Sequence, residues 1–168
     1  WFETQWFAET FEDESRILQS FLEFLPENSY IITYNGSTFD FPYLIHKQNQ
    51  FELASRLSEF SFFDLYKVLK PYKQLLNFSH FRQQDLEKFV EYDRKSDISG
   101  KKCISLYQQF LRTEETSLSE ILLRHNQMDL IGMLRILPLL SYAQLTQGSF
   151  QIQSYTFNQE YLTADCIL

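Results

Sequence analysis

The chain of 168 residues is poor in the features that mark several protein classes. Cysteine occurs only at Cys103 and Cys166, in neither a CxxC pair nor a zinc spacing. A disulfide-stapled secreted framework and a cysteine-spaced zinc motif are therefore disfavoured, and a reducing, cytoplasmic setting is expected. Glycine and proline, four of each, are too sparse for a collagen-like, low-complexity or disordered chain. Long apolar runs are missing: the most hydrophobic stretch, Leu130 to Leu140, contains Arg135 and Pro138 and is too short to span a bilayer. No internal repeat is present, nor a charged leader followed by an apolar stretch. Because the first residue is Trp1 rather than Met, the chain is expected to be part of a longer polypeptide.

Basic charge is also in deficit, with 15 Lys plus Arg against 22 Asp plus Glu and a formal charge of -7. A histone-like or strand-coating protein lives on released counterions and is usually basic, so that class is disfavoured. An enzyme that meets phosphates through divalent metals held by carboxylates stays open.

What the chain has in quantity is apolar and aromatic surface: 44% hydrophobic residues and 17% aromatic ones, with 17 Phe and 10 Tyr. At this length one domain with one core is the default. Most rings are expected to fill that core, with stacking platforms for bases as the sharper alternative.

The patterning alternates between strand and helix in the first half. Trp1 to Ala8 is β-favouring and suits a strand. Glu12, Asp13 and Glu14 open a helix whose apolar face runs through Ile17, Leu18, Phe21, Leu22 and Leu25 until Pro26 stops it. Ser29 to Tyr34 reads as a strand entering a turn at Asn35 and Gly36, Pro42 opens a helix to about Asn49, and Phe60 to Asp64 is another strand, followed by a helix ending at Lys70. The second half is mainly helical: Gln83 to Phe89, Lys101 to Leu111, and Leu118 to about Leu140, with Ser117 and Glu120 placed for a capping box. An α/β fold is expected over residues 1–146. Residues 147–168 read as a linker and the start of a following segment, with a strand at Gln151 to Tyr155.

Two segments could carry chemistry. Tyr34 to Leu44, YNGSTFDFPYL, puts Asn35 and Gly36 just after a strand and Asp40 at a helix entrance. A carboxylate there faces the crevice where α/β folds bind ligands and could hold a divalent metal; alternatively it caps the helix. His125 to Leu134, HNQMDLIGML, puts His125 and Asp129 four residues apart on one helical face, either toward a cleft or as a solvated pair.

Together these segments resemble the second and third exonuclease motifs of the ribonuclease-H-like DEDD exonucleases, and around them the short strand leading to Asp64, Asp97 to Gly100 and Ser105 to Leu111 (SLYQQFL) look like an uncharacterised bacterial branch of that superfamily, over roughly Trp1 to Leu140. The resemblance implies a ribonuclease-H-like fold with a mixed sheet flanked by helices. It also implies a two-metal phosphodiesterase, in which Mg2+ or Mn2+ lowers the pKa of a water and clamps the attacking and leaving oxygens at the 3′ end of a single-stranded DNA or RNA. Carried over by position, Asp40 is the second-motif acid and Asp129 the third. His125 stands where members orient or deprotonate the attacking water, at the offset of the Tyr-type subclass. Asn35 and Gly36 would position the nucleotide or the loop around Asp40, with Phe39 packed beneath. Asp64 and Asp97 are weaker candidates, Asp64 being placed to cap the next helix.

The first motif, Asp-x-Glu on the leading strand, has no counterpart here, and the first strands of the sheet are expected to lie upstream. Two readings follow: a metal-dependent exonuclease completed by residues outside this sequence, or a non-catalytic ribonuclease-H-like scaffold or nucleic-acid-binding domain.

Overall fold

The computed structural model describes residues 2–54, 57–94, 98–146, 151–157 and 162–167. Helix α1 (Asp13–Phe24) buries Leu18 and Leu22, one turn apart, against Leu57. Its first turn is tied by Thr10, whose amide and hydroxyl both donate to Asp13. Strand β1 (Tyr30–Thr33) follows, then α2 (Asp40–Gln50), β2 (Ser61–Asp64) and the short α3 (Leu65–Leu69). The two strands are parallel, in register from Tyr30 beside Ser61 to Thr33 beside Asp64, so the chain must cross over between them, and α2 makes that crossing. Both strands therefore deliver their following loops to the same end of the sheet.

Beyond a 3-10 turn at Lys70–Tyr72 come α4 (Gln83–Phe89), α5 (Gly100–Thr113) and the long α6 (Thr116–Ile136), then a 3-10 turn at Leu137–Leu140 and α7 (Ser141–Thr146). Leu65 and Leu69 of α3, Leu86 of α4 and Ile136 of α6 form the central apolar cluster, all at 0% exposure. Full burial of such a side chain contributes roughly 1.5–3 kcal/mol, so this cluster holds the sheet end against the second-half helices. A second cluster, Leu106, Phe110 and Leu118, joins α5 to α6. Strands β3 (Gln151–Phe157) and β4 (Leu162–Ile167) form an antiparallel hairpin, and the linker expected at 147–150 lies outside the described residues. Among the described residues no helix is long and apolar enough to cross a membrane.

The α/β class holds, with most of the chain helical and a small parallel sheet. Three local expectations are corrected. Residues 2–8 are not a strand: a strand needs a ladder partner and none is present among the described residues, so the segment lies instead across α5 and α6. Its contacts there are side-chain anchors: Gln5 accepts from Asn126 at 3.1 Å, Glu3 accepts from Gln127 at 2.8 Å, and the Ala8 carbonyl accepts from the Tyr107 hydroxyl at 3.0 Å. The capping box at Ser117 does not form, because α6 begins two residues earlier, at Thr116 with Glu115 in the cap position, and the Ser117 hydroxyl donates to the Glu115 carboxylate at 2.6 Å. Nor are the aromatics uniformly internal: Phe2, Phe11, Tyr30 and Phe39 are each more than two-thirds exposed.

Candidate active site

The turn after β1 is built around Asp64. Asn35 adopts a left-handed backbone (φ 63°), which an Asn tolerates better than most residues, and donates its amide to Asp64 Oδ1 at 2.8 Å. Gly36 is buried directly over Thr33; a Cβ there would sit 2.6 Å from the Thr33 side chain, so only glycine lets the turn close. Ser37 then gives Asp64 Oδ2 both its amide, at 3.1 Å, and its hydroxyl, at 2.6 Å. The same carboxylate caps α3 by accepting from the Tyr66 amide at 3.1 Å. Burial by itself would raise the Asp64 pKa, yet the bonds from Ser37 and Asn35 outweigh it and hold the carboxyl below its ordinary value. Asp64 is thus a structural clamp as well as the expected cap. Ser37 was missed in the sequence, where nothing distinguishes it from an ordinary turn serine.

Asp40 occupies the first position of α2, not the cap, and accepts no hydrogen bond from another described side chain. The helix is started instead by the Phe41 amide donating to the Gly36 carbonyl at 2.9 Å. Of the two alternatives for Asp40, capping from the residue before the helix is not the one seen: the carboxylate sits in the first turn and accepts from its own backbone amide. Although its surface is exposed, desolvation by the surrounding protein, assisted by the Asp64 charge, holds its pKa above the ordinary value. Phe39, expected beneath the turn, is 72% exposed; the buried ring of this segment is Phe41, which packs on Phe62.

On α6, His125 and Asp129 do face one another, with Nε2 3.5 Å from Oδ2, an ion-pair distance rather than a hydrogen bond. The His125 Nδ1 is buried without a partner among the described residues. Asp129 is partly solvated but also held from the protein side. Its Oδ1 accepts from Arg94 at 2.5 Å, while its side chain stays 40% exposed. Arg94 is buried and makes two further bonds, from Nε and Nη2, to the two oxygens of Glu87, which is 1% exposed. Gln83 completes the group by donating to Glu87 at 2.8 Å and to the Asp129 carbonyl at 2.7 Å. Burial opposes the charge on Arg94, but Glu87 and Asp129 outweigh that and hold its pKa above the ordinary value.

The arrangement matters because Arg94 is shared. Its charge is matched by Glu87, so Asp129 is oriented through one oxygen while the cluster as a whole keeps a net negative charge. Sequence reasoning missed both Arg94 and Glu87, since a charged residue on a helix or in a polar loop reads as solvated until its neighbours are known.

Asp40 and Asp129 offer the hard carboxylate oxygens that Mg2+ or Mn2+ takes, so their donor chemistry fits such an ion. They are not joined by any contact among the described residues, and no three metal-ligating side chains converge there; the two supply part of a ligand set, not a cage. Asp97 lies outside the described residues.

A family model described as RNase_H superfamily matches residues 2–141. No curated protein and no solved structure matches the chain. The matched span contains the β1 turn, the Asp64 clamp and the His125 to Asp129 face. The chain belongs to the RNase_H superfamily, whose members are associated with nuclease and other nucleic-acid-related functions and whose nucleases generally use divalent metals.

Proposed function

We propose that this chain belongs to a divalent-metal-dependent exonuclease that shortens single-stranded DNA or RNA from the 3′ end, in a reducing cytoplasmic setting. The observation that carries the reading is the state of Asp129: fixed through Oδ1 by an arginine already matched by Glu87, open to solvent, and turned toward an imidazole. A surface carboxylate without a task has no need of a buried arginine to aim it.

Asp40 and Asp129 would hold the ion, with the remaining acids supplied by residues outside this sequence. A bound divalent pair lowers the pKa of a water and stabilises the attacking and leaving oxygens. His125 would receive or hold the proton of that water at Nε2, the ring atom that faces Asp129. Asn35 and Gly36 would keep the turn in place beside the substrate, and the exposed ring of Phe39 is free to stack on a base.

The second reading is a non-catalytic nucleic-acid-binding or scaffold domain. It is favoured by the failure of Asp40 and Asp129 to converge with a third ligand among the described residues. The two are separated by incubating the whole protein with 5′-labelled single-stranded DNA and RNA, with Mn2+ or with a chelator. A ladder of products shortened from the 3′ end in Mn2+ alone is expected. Intact strands in both conditions would overturn the enzyme reading in favour of the scaffold.

A further inference from the structure

In a chain of net charge -7, one cavity stands apart. It measures about 550 Å³ and opens where the loop after β1 meets the segment from the end of α3 to the start of α4. Lys70, Lys73, His80 and Arg82 line it, Asn35 and Tyr66 form its inner wall, and none of its described lining residues is acidic. Lys73 has no ion-pair partner among the described residues. The Lys70 ammonium lies over the Tyr66 ring, 4.9 Å from its centre, a contact that leaves its N–H donors free on the far side. Arg82 is the exception, since its guanidinium is engaged by Asp85 at 2.9 and 3.0 Å.

An acidic protein repels a polyanion over most of its surface, so a polyanion that binds must do so where the local potential is reversed. A concave wall of low dielectric focuses that potential. Lysines suit the purpose because an ammonium on a flexible stem pairs with phosphate as a point charge and needs no fixed geometry. The cavity also adjoins the turn: Asn35, one of its lining residues, begins the segment that leads through Gly36 to Asp40.

We propose that this cavity is the groove in which single-stranded nucleic acid lies, with Lys70 and Lys73 neutralising successive phosphates and Asn35 meeting the nucleotide nearest the end. The proposal rests on the nucleic-acid reading above and adds to it the path of the substrate. Binding here is independent of base identity, because the partners are backbone phosphates.

The test is fluorescence anisotropy of the whole protein with a fluorescein-labelled single strand about fifteen nucleotides long, in chelator so that nothing is cleaved. Lys70→Glu with Lys73→Glu is compared with Lys101→Glu with Lys102→Glu, an equal charge change on exposed residues that do not line the cavity. Lys70→Gln with Lys73→Gln serves as a milder form. The cavity pair should weaken binding by about tenfold or more, and should flatten the dependence of log affinity on log salt by about 1.4 for two lost phosphate contacts. The control pair should change affinity by less than about twofold, acting only through screened long-range charge. Equal losses in both pairs, or no loss in the cavity pair, would overturn the groove. Its fate is separable from that of the exonuclease reading. A wild-type protein that binds through these lysines but never cleaves retains the groove and loses the enzyme. One that cleaves in Mn2+ and is indifferent to Lys70 and Lys73 retains the enzyme and loses the groove.

Discussion

Gly132 on α6 and Glu87 on α4 are fitted to one another: a Cβ at Gly132 would lie 1.8 Å from Glu87 Oε1, inside any possible contact distance. The missing side chain is the space in which the Glu87 carboxylate reaches Arg94 and Gln83. Gly132→Ala is therefore expected to destabilise the fold by about 1–3 kcal/mol through overpacking, despite the better helix propensity of alanine. Urea unfolding of the variant measures it, and a gain in stability would show that the α4–α6 contact is looser than described.

Asp129→Asn should abolish metal-dependent cleavage while leaving most of the stability in place, because Asp129 is partly exposed and Arg94 keeps Glu87 as its main partner. Glu87→Ala should do the reverse in degree. It leaves Arg94 buried with one partially exposed partner, and breaking a buried pair in this way typically costs about 3–5 kcal/mol. Melting temperatures of the two variants, measured side by side, should fall in that order.

Asp40→Asn should not cost stability at neutral pH. The folded-state pKa of Asp40 is raised, so its favourable contribution is present below the unfolded value and is lost as pH rises through the folded one. Removing the charge relieves that penalty, and the melting temperature is expected to stay level or rise while cleavage disappears. A marked drop in melting temperature would return Asp40 to a purely structural role.

Asp64 has the opposite sign. Its folded pKa is depressed, so its contribution is complete above the unfolded value of 3.8 and is lost as pH falls through the folded one. Asp64→Asn should lower stability at pH 7 by about 1.5–3 kcal/mol, the range for hydrogen bonds to a charged group. Stability curves between about pH 2 and 6 should converge for the two proteins at the acid end, where the wild-type carboxyl is protonated as well.

Much of the molecule was legible in the sequence, for reasons that are local. The apolar spacing of α1, the strand bounded by Asn28 and Asn35, and the turn Asn35-Gly36 before Pro42 each declare themselves within a few residues. What escaped notice is decided at a distance. Residues 2–8 have strand-like composition, but pairing is a property of neighbours, and their neighbours are helices. Glu87 and Arg94 read as surface charges because the third member of their cluster, Asp129, lies 35 positions or more along the chain. The His125 and Asp129 face was readable from its spacing of four; the arginine that aims Asp129 was not.

The Asp64 carboxylate also sets a timing within the turn. The amides of Asn35 and Ser37, from one turn, and of Tyr66, from the first turn of a helix, all end on that one group. Loss of this one acceptor would strip protection from all three at once. Native-state hydrogen exchange should find these amides faster together in Asp64→Asn, and a common rate in the wild type would mark them as one opening unit. A loop that must hold a substrate end still during reaction and release it afterwards would then move as one piece, with Asp64 as its latch.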